Sequence, residues 1–349
     1  MKQIMSLIDE IHEQPDAIRR LLGSQSEAIA TIAGQVQARG VDYIYLAARG
    51  TSDNAGKYAQ YLFGAVNRLP MALAAPSLFS LYQQPPLLND ALVIGVSQSG
   101  RSPDIISVMD EARRQGVMSL AVTNSPVSPM ADAAEFVLDI NCAPEVAVAA
   151  TKSYTGSLAA LALLSAELAG REDMRRALER VPGWMEEVLA QEGEIAQQAE
   201  FYRSMDRCVV LGRGYNYATV YEWSLKLKEL AGVMAEPYSS ADFLHGPIAM
   251  VQGDFPVFTV APGGSALPPL YELLQRLRED RRVGIFSITD RDEVLSLSRA
   301  GLRLPVGIPE WLSPLIAIIP GQLFAYHLTR HKGLDPDNPT GLSKVTRTQ

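Results

Sequence analysis

The sequence has few cysteines and histidines, and it lacks the motifs of metal and dinucleotide sites. Its 349 residues include only two cysteines, Cys142 and Cys208, and four histidines. Two thiols in apolar or strand-like contexts are too few for a disulfide framework, so we expect reduced core cysteines. The sequence has no GxxxxGKS/T loop, no GxGxxG after its first predicted strand and no cluster with metal-ligand spacing. We therefore expect no metal and no organic cofactor.

The chain also lacks an excess of positive charge and long apolar runs. Its 31 basic residues are outnumbered by 39 acidic residues, which gives a net charge of −8. A protein that binds nucleic acid would more often be basic, so we expect no nucleic-acid partner. The most apolar stretch, residues 157–170, is shorter than the ~20 residues of a membrane span and contains Glu167. The N-terminus has an acidic amphipathic pattern instead of a signal peptide, so we expect a cytoplasmic protein without a membrane partner.

Apolar strands alternate with helical patterns along the first half of the chain. A capping Ser102 followed by Pro103 opens one of these helices. The strand-like segments are residues 41–50, 91–100, 119–124 and 136–141. This alternation predicts an α/β fold with a parallel sheet that helices cover on both faces.

The second half repeats the first at a nearly constant spacing. Gly214 closes an Arg-Gly strand end as Gly50 does, and Val260 precedes a glycine turn as Val96 does. Gly50 and Gly214 are separated by the same number of residues as Val96 and Val260. Matches in the same order and context predict two copies of one α/β unit. We divide the chain into N-terminal helices (1–34), a first domain (35–170), a helical linker (171–200), a second domain (201–334) and a C-terminal tail (335–349).

A serine-rich turn after the second predicted strand is the candidate anion site. Residues 97–102 read SQSGRS and open a helix, where free N–H groups and the helix dipole favour an anion. Thr51 and Ser52 follow the neighbouring strand, and open α/β sheets bind ligands at such strand ends. The side chains that add donors in the turn are those of Ser97, Gln98, Ser99 and Ser102. The alternative is a capped turn without a ligand.

The equivalent turn of the second copy differs. Residues 261–264 read APGG and provide no hydroxyl groups. We therefore expect one phosphate site per chain, in the first copy.

A helix of the second copy carries the candidate acid–base group. Within YEWSLKLKEL, Glu222, Lys226 and Glu229 are spaced to share one helical face. A solvent-exposed stripe of salt bridges is the alternative interpretation of Glu222 and Lys226. His245 precedes Gly246-Pro247 in a loop-like segment soon afterwards, and a lone histidine is more often structural than catalytic. We interpret the other histidines, His12, His327 and His331, as structural.

Together these segments resemble the sugar isomerase (SIS) domain superfamily, and more closely the isomerase half of glutamine-dependent fructose-6-phosphate amidotransferases. The matching segments are EIHEQPDAI, ARGTSDNAGKY, SQSGRSPD, PEVAVAATKSYT, LGRGYNYATVYEWSLKLKEL, ADFLHGPIAM and DPDNPTGLSKVT, in order over nearly the whole chain. The resemblance implies two tandem SIS domains, each a mostly parallel, doubly wound sheet flanked by helices, followed by an extended C-terminal tail.

The resemblance also implies residue roles. Glu229 matches the acid–base glutamate that moves a proton between sugar carbons C1 and C2, and Lys344 matches the tail lysine that closes over the sugar. His245 matches the histidine associated with ring opening, which this family takes from the neighbouring subunit, so we expect a homodimer with shared active sites. The implied sugar-phosphate contacts are Ser52, Ser97, Gln98, Ser99 and Ser102, with Thr51, Val148, Ala150 and Lys226 as further substrate-binding candidates.

The sequence departs from that family in several places. It begins Met1-Lys2 and enters the isomerase-like part directly, so we expect no glutaminase and no internal source of ammonia. Arg101, Ala150 and Asp242 replace an acid, a serine and a glutamate of the family's motifs. These departures argue against the full amidotransferase reaction.

We therefore predict an isomerising deaminase that converts glucosamine 6-phosphate and water into fructose 6-phosphate and ammonia. Two enzymatic alternatives remain: a synthase-like subunit that uses ammonia or a separate glutaminase, and a deglycase of phosphorylated fructose–amino acid adducts. The third alternative is a sugar-phosphate sensor without turnover, and the retained Glu229, His245 and Lys344 argue against it.

Overall fold

The computed structural model describes residues 5–344 of the chain. These residues form two compact units, which are described separately. The first unit comprises residues 13–146, 150–182 and 343–344. The second unit comprises residues 5–12, 147–149 and 183–342.

A five-stranded sheet forms the centre of the first unit. Its strands are β1 (Tyr43–Ala47), β2 (Met71–Leu73), β3 (Ala91–Val96), β4 (Met118–Thr123) and β5 (Phe136–Asp139). They are ordered β2-β1-β3-β4-β5, and every neighbouring pair is parallel. Strands β3 and β4 are buried along their whole length, because helices cover both faces of the sheet.

The helices are numbered along the chain, and α1 (Leu7–His12) belongs to the second unit. The helices of the first unit are α2 (Gln14–Ala38), α3 (Thr51–Leu62), α4 (Ser77–Ser80), α5 (Pro103–Gln115), α6 (Pro129–Ala133), α7 (Lys152–Leu168) and α8 (Glu172–Leu178), with a π-helical turn at Phe63–Asn67. Every residue of α7 from Lys152 to Ala166 is buried, because this helix packs against α2, α3 and α8.

The second unit repeats this arrangement. Its strands are β6 (Arg207–Gly212), β7 (Met234–Ser239), β8 (Val257–Val260), β9 (Ile285–Thr289) and β10 (Ala300–Arg303). They are ordered β7-β6-β8-β9-β10 and are parallel, so each strand has the sheet position of its counterpart in the first unit. The prediction of two α/β copies with parallel sheets is thus confirmed.

The remaining helices complete the second unit. They are α9 (Val181–Leu189), α10 (Glu192–Glu200), α11 (Tyr217–Ala231), α12 (Ser240–Leu244), α13 (Leu267–Glu279), α14 (Asp292–Leu297) and α15 (Ser313–His331). Short 3-10 turns lie at Gly214–Asn216, Pro247–Met250 and Glu310–Leu312.

Aromatic packing anchors α11 on the second sheet. Trp223 of α11 stacks on Phe258 of β8 with ring centroids 5.2 Å apart and planes inclined by 11°. Phe324 of α15 meets the same indole edge-on at 5.9 Å. A Cβ at Gly321 would lie 2.9 Å from Trp223 Cγ, so only glycine lets α15 approach this ring. The packing holds the helix that bears the candidate acid–base residues.

The segment Glu310–His331 is long and apolar enough to cross a membrane by length and composition alone. Its most apolar stretch is 94% buried within the fold. The helix packs against α10 and α11 and therefore has the environment of a core helix.

The predicted linker and tail have irregular or short structure. Residues 171–200 contain α8, α9 and α10, and residues 332–344 contain neither helix nor strand. Asp337 accepts a hydrogen bond from the backbone N–H of Leu7 at 2.6 Å. The remaining tail positions, 345–349, lie outside the described residues, and the predicted domain limits stay predictions.

Candidate active site

The serine turn lies where the strand order of the first sheet reverses. From β1 the chain moves outward to β2, whereas β3 lies on the other side of β1. Ligands of open α/β sheets bind at such a switch point, outside the carboxyl ends of the strands. Thr51 and Ser52 begin α3 after β1, and Ser97 to Ser102 join β3 to α5. The two predicted donor groups therefore follow adjacent strands.

The turn is held by hydrogen bonds among its own groups. The N–H of Gly100 donates to Ser97 Oγ at 3.2 Å, and the N–H of Arg101 donates to Ser99 Oγ at 3.3 Å. Ser97 Oγ and Ser102 Oγ lie 3.5 Å apart. Gln98 is tied to the end of β4 through its backbone oxygen, which accepts from Thr123 Oγ1 at 3.3 Å. The hydroxyls thus converge on one short loop at the N-terminus of a 13-residue helix.

Gly100 is required by both backbone and packing. Its φ of +62° is left-handed, which disfavours other residues. A Cβ there would lie 2.1 Å from Ser128 Oγ. The turn can therefore keep this path only with glycine.

An arginine after β1 is a neighbour of this turn that the sequence analysis missed. Arg49 Nε donates to Asp104 Oδ2 at 2.6 Å, which connects the end of β1 to the first turn of α5. Asp104 is buried, and its Oδ1 has no hydrogen-bond partner among residues 5–344. Arg101, which departs from the family motif, is exposed.

A buried glutamate, also missed from the sequence, organises the loop between β5 and α7. Glu145 Oε1 accepts from the N–H groups of Thr151 and Ser153, each at 3.0 Å. Its Oε2 accepts from Ser153 Oγ at 2.7 Å and from Lys344 Nζ at 2.8 Å. The predicted tail lysine is therefore held by a carboxylate of the first unit.

The charge state of Glu145 follows from these contacts. Burial alone would raise its pKa, but the Lys344 ammonium and the hydrogen bonds from Ser153 outweigh burial, so the pKa lies below its usual range. Lys344 keeps 23% of its side chain exposed, whereas the Glu145 side chain is fully buried. The Lys344 ammonium is therefore accessible, whereas the Glu145 carboxylate that holds it is buried.

The same loop contains Val148 and Ala150, both partly exposed. Thr151 is 1% exposed, and its Oγ1 has no hydrogen-bond partner among the residues that the structure describes. An unsatisfied buried hydroxyl is costly unless something hydrogen-bonds to it. Thr151 is therefore a further candidate contact for a polar ligand.

In the second unit, α11 carries a group of three charges. Lys226 Nζ lies 2.6 Å from Glu229 Oε2 and 3.3 Å from Glu222 Oε1. Lys226 and Glu222 are fully buried, whereas Glu229 keeps 25% of its side chain exposed. A solvent-exposed stripe is therefore wrong for Glu222 and Lys226, because the packing of α11 on β6, β7 and α15 covers them.

Electrostatics keep Lys226 charged in this buried place. Burial alone would lower the pKa of its ammonium, but Glu222 and Glu229 outweigh burial and raise the pKa to about 12. The ammonium thus fixes the position of the Glu229 carboxylate through a charge-assisted hydrogen bond. Glu229 is the accessible carboxylate of this group.

His245 lies at the C-terminal end of α12, where its N–H donates to the carbonyl of Asp242 at 3.0 Å. Its side chain is exposed, and its ring has no hydrogen-bond partner within residues 5–344. The structural histidines differ, since His12 and His327 both contact Glu192, at 2.6 and 3.0 Å.

Within the described part of the chain, no group of three His, Cys, Asp or Glu side chains is placed to hold a metal ion. Cys142 and Cys208 are free and buried, and burial raises the pKa of both thiols.

Carboxylates occupy the turn of the second unit that corresponds to the serine turn. The N–H groups of Ser265 and Ala266 donate to Glu310 Oε2 and Oε1 at 2.8 and 2.9 Å. The N–H of Gly263 donates to Asp290 Oδ1 at 2.7 Å. Pro309-Glu310 follows Pro144-Glu145 at close to the repeat spacing, so the repeat itself could have revealed both glutamates.

Comparison with known proteins agrees with this architecture. The model of the SIS domain family matches residues 24–166 and 201–332. Glutamine–fructose-6-phosphate aminotransferase (isomerizing) of Thermus thermophilus is 35% identical over 97% of this chain, which spans 58% of that protein's length. The chain therefore corresponds to part of the curated relatives it matches.

Two solved structures cover the chain almost completely. A candidate phosphosugar isomerase from Silicibacter pomeroyi DSS-3 has a TM-score of 0.85 at 32% identity, over 96% of this chain and 100% of its own. The C-terminal domain of glucosamine-fructose-6-phosphate aminotransferase from Francisella tularensis has a TM-score of 0.84 at 26% identity, over 95% and 98%. With two matched SIS regions on two equivalent parallel sheets, the chain belongs to the SIS domain family and is related to the isomerase part of glutamine–fructose-6-phosphate aminotransferase.

Proposed function

We propose that the protein is an isomerising deaminase that converts glucosamine 6-phosphate and water into fructose 6-phosphate and ammonia. The observation that carries the proposal is the charged group of α11. Glu229 is a partly exposed carboxylate held at 2.6 Å by the buried Lys226 ammonium. Proton transfer next to a carbonyl requires such a positioned carboxylate.

The proton transfer follows from the substrate's own chemistry. In the open-chain sugar, Glu229 removes the proton from C2 and returns it to C1. The aldehyde oxygen gains a proton and the amine nitrogen loses one, so that C1 becomes an alcohol carbon and C2 an imine. Water adds to the C2 imine and ammonia leaves, which gives the ketone of fructose 6-phosphate. The substrate's carbonyl and amine stabilise the negative charge that develops during proton removal.

His245 has the role of opening the sugar ring. A histidine can exchange the ring-oxygen proton near neutral pH, because its ordinary pKa lies in this range. The His245 side chain is exposed on its own unit, so a second copy of the chain can contact it, as the family resemblance implies. The shared-site homodimer therefore stays part of the proposal.

The serine turn has the role of phosphate binding. Ser97, Ser99 and Ser102 offer hydroxyl donors at a helix N-terminus, where the dipole favours an anion. Thr51, Ser52 and Gln98 are assigned to the same function. Lys344, supported by Glu145, has the role of closing over the sugar.

The decisive experiment measures ammonia release from a panel of hexosamine 6-phosphates. We expect release from glucosamine 6-phosphate with equimolar formation of fructose 6-phosphate. A synthase-like enzyme would instead require fructose 6-phosphate with ammonia, and a deglycase would act only on fructose–amino acid adducts. Absence of turnover of every panel member would refute the proposal, and binding of sugar phosphates without turnover of these two further substrates as well would identify a sensor.

A further inference from the structure

The turn of the second unit that corresponds to the serine turn binds two carboxylates of the protein itself, those of Asp290 and Glu310. At the repeat spacing, Ser265 and Ala266 correspond to Arg101 and Ser102 of the serine turn. Their backbone N–H groups donate to the two oxygens of Glu310 at 2.8 and 2.9 Å. The carboxylate therefore binds the N-terminal end of α13 with both oxygens, as two oxygens of a phosphate would.

Local packing leaves no space for a second anion at this position. A Cβ at Gly264 would lie 2.2 Å from Glu310 Cδ, so the carboxylate group lies directly against the turn. The N–H of Gly263 is taken by Asp290 at 2.7 Å. The carboxylates of Asp290 and Glu310 thus accept hydrogen bonds from three N–H groups, those of Gly263, Ser265 and Ala266.

The first unit has different groups at the equivalent positions. Asn124, a neutral residue, stands at the place in the first copy that Asp290 has in the second. Glu145 is the counterpart of Glu310, but it accepts from the N–H groups of Thr151 and Ser153 and from Lys344. Its charge is therefore directed at α7 and the tail lysine, whereas the N–H groups of Gly100 and Arg101 in the serine turn donate to serine hydroxyls of the same turn.

We propose that the Glu310 carboxylate takes the place of a ligand phosphate at the turn before α13. Because it occupies this turn, Glu310 limits the chain to one phosphorylated ligand. Asp290 assists it, because a second negative charge repels a phosphate dianion. Glu310 is thus a specificity-determining residue, and the inference rests on the proposed function only in taking the serine turn as the phosphate site.

The test measures the binding of inorganic phosphate to variants of the full chain, at constant ionic strength set with chloride. Replacing both carboxylates, Glu310→Ala with Asp290→Asn, frees the N–H donors of Ser265 and Ala266 and reproduces the neutral residue of the first unit. We expect the bound phosphate to rise from one to two per chain. The matched control is Glu293→Ala, which removes an exposed carboxylate of the same unit and should leave the ratio at one.

The same comparison in a Ser97→Ala, Ser99→Ala background separates this inference from the proposed function. There the bound phosphate should change from none to one when Glu310 and Asp290 are replaced. If the serine variant alone still binds phosphate, the serine turn is not the phosphate site, but the gain from the carboxylate substitutions is still measured. Absence of any gain in both backgrounds would overturn the role of Glu310.

A second measurement applies if the double variant folds poorly. Glu310→Ala alone removes the side chain that fills the turn and keeps Asp290, so it changes fewer contacts of the fold than the double variant. A ligand that binds the folded state stabilises it more as its occupancy rises. We expect saturating phosphate to raise the Tm of Glu310→Ala more than that of wild type or Glu293→Ala. Equal shifts in all three proteins would contradict the proposal.

Discussion

Lys344 donates to the fully buried carboxylate of Glu145 at 2.8 Å, and this contact fixes the tail to the loop between β5 and α7. The loop in turn is organised by the same carboxylate, which accepts from two N–H groups at the start of α7. One side chain therefore supports both the tail lysine and the loop that bears Val148 and Ala150. Changes at Glu145 should consequently affect the tail and the loop together.

Glu145→Gln should lower turnover because it removes the anion that positions Lys344. A hydrogen bond to a charged group contributes about 1.5–3 kcal/mol, so we expect a loss of roughly 10- to 150-fold in kcat/KM. Steady-state assays of the variant measure this loss. Glu135→Gln, at an exposed carboxylate paired with Arg39, is the control and should retain activity. Normal turnover of Glu145→Gln would show that Lys344 needs no anionic partner.

Glu145 should also make stability depend on pH in the acid range. Its pKa is lower in the folded protein than the ordinary value of 4.5, so its contribution is complete above that value. The contribution is lost as the pH falls through the lowered folded pKa, because the unfolded chain then binds the proton more readily. Denaturant unfolding between about pH 2 and 6 should show a smaller pH dependence for Glu145→Gln than for wild type. Parallel curves would contradict the depressed pKa.

Glu229→Gln should keep sugar-phosphate binding and lose proton transfer. Removal of a general base typically costs ~10²- to 10⁴-fold in rate. Turnover and calorimetric binding of the substrate, measured on the same preparation, separate the two effects. Glu236→Gln removes an exposed carboxylate that pairs with Lys228 and should change neither quantity. Near-normal turnover of a folded Glu229→Gln would eliminate this residue as the base.

Lys226→Met should destabilise the second unit, because it leaves the fully buried Glu222 without its ammonium. Removing one partner of a buried ion pair costs about 3–5 kcal/mol. The loss is measured as a decrease in the free energy of unfolding in denaturant. Addition of Glu222→Gln to Lys226→Met should recover part of it, since the uncompensated charge is then absent. A double variant less stable than the single one would show that charge is not the cause.

Mixing two inactive variants tests whether His245 acts in the neighbouring chain. In a two-fold dimer, one His245→Ala chain and one Glu229→Gln chain form one site with both changes and one with neither. After subunit exchange at equal concentrations, activity should return to about a quarter of wild type, because half of the dimers are mixed. If subunits are shown to exchange and activity does not return, both groups act within one chain and the shared site is excluded.

The sequence was sufficient for the α/β class and the repeat, because these are local signals, but it did not predict β2, a three-residue strand at the edge of the first sheet. Strand ends such as Ala47 and Val96, and the glycine turn at Gly100, are visible as apolar runs followed by turn residues. Burial was harder to predict, because the spacing of Glu222 and Lys226 suits a solvated face as well as a buried one. Only the packing of α11 on β6, β7 and α15 distinguishes the two.

The partners of the two repeat-related glutamates could not be predicted from the sequence at all. Both follow a proline at the same place in the repeat, yet Glu145 faces α7 and Lys344 while Glu310 faces the turn before α13. A carboxylate can accept from any nearby N–H group, so its partner depends on the three-dimensional path of the loop. The repeat indicates that the positions are equivalent, and only the coordinates show that their contacts have diverged.

The ion-pair group of α11 contains two carboxylates and one ammonium, whereas the fourth charged residue of the helix, Lys228, pairs with Glu236. Two carboxylates, Glu222 and Glu229, share the single ammonium of Lys226, so the resting group has one negative charge in excess. In the proposed reaction Glu229 takes a proton from a sugar carbon, and the group then has one anion and one cation. The group is then electrically neutral at the halfway point of the reaction and returns to its excess charge when the proton moves on.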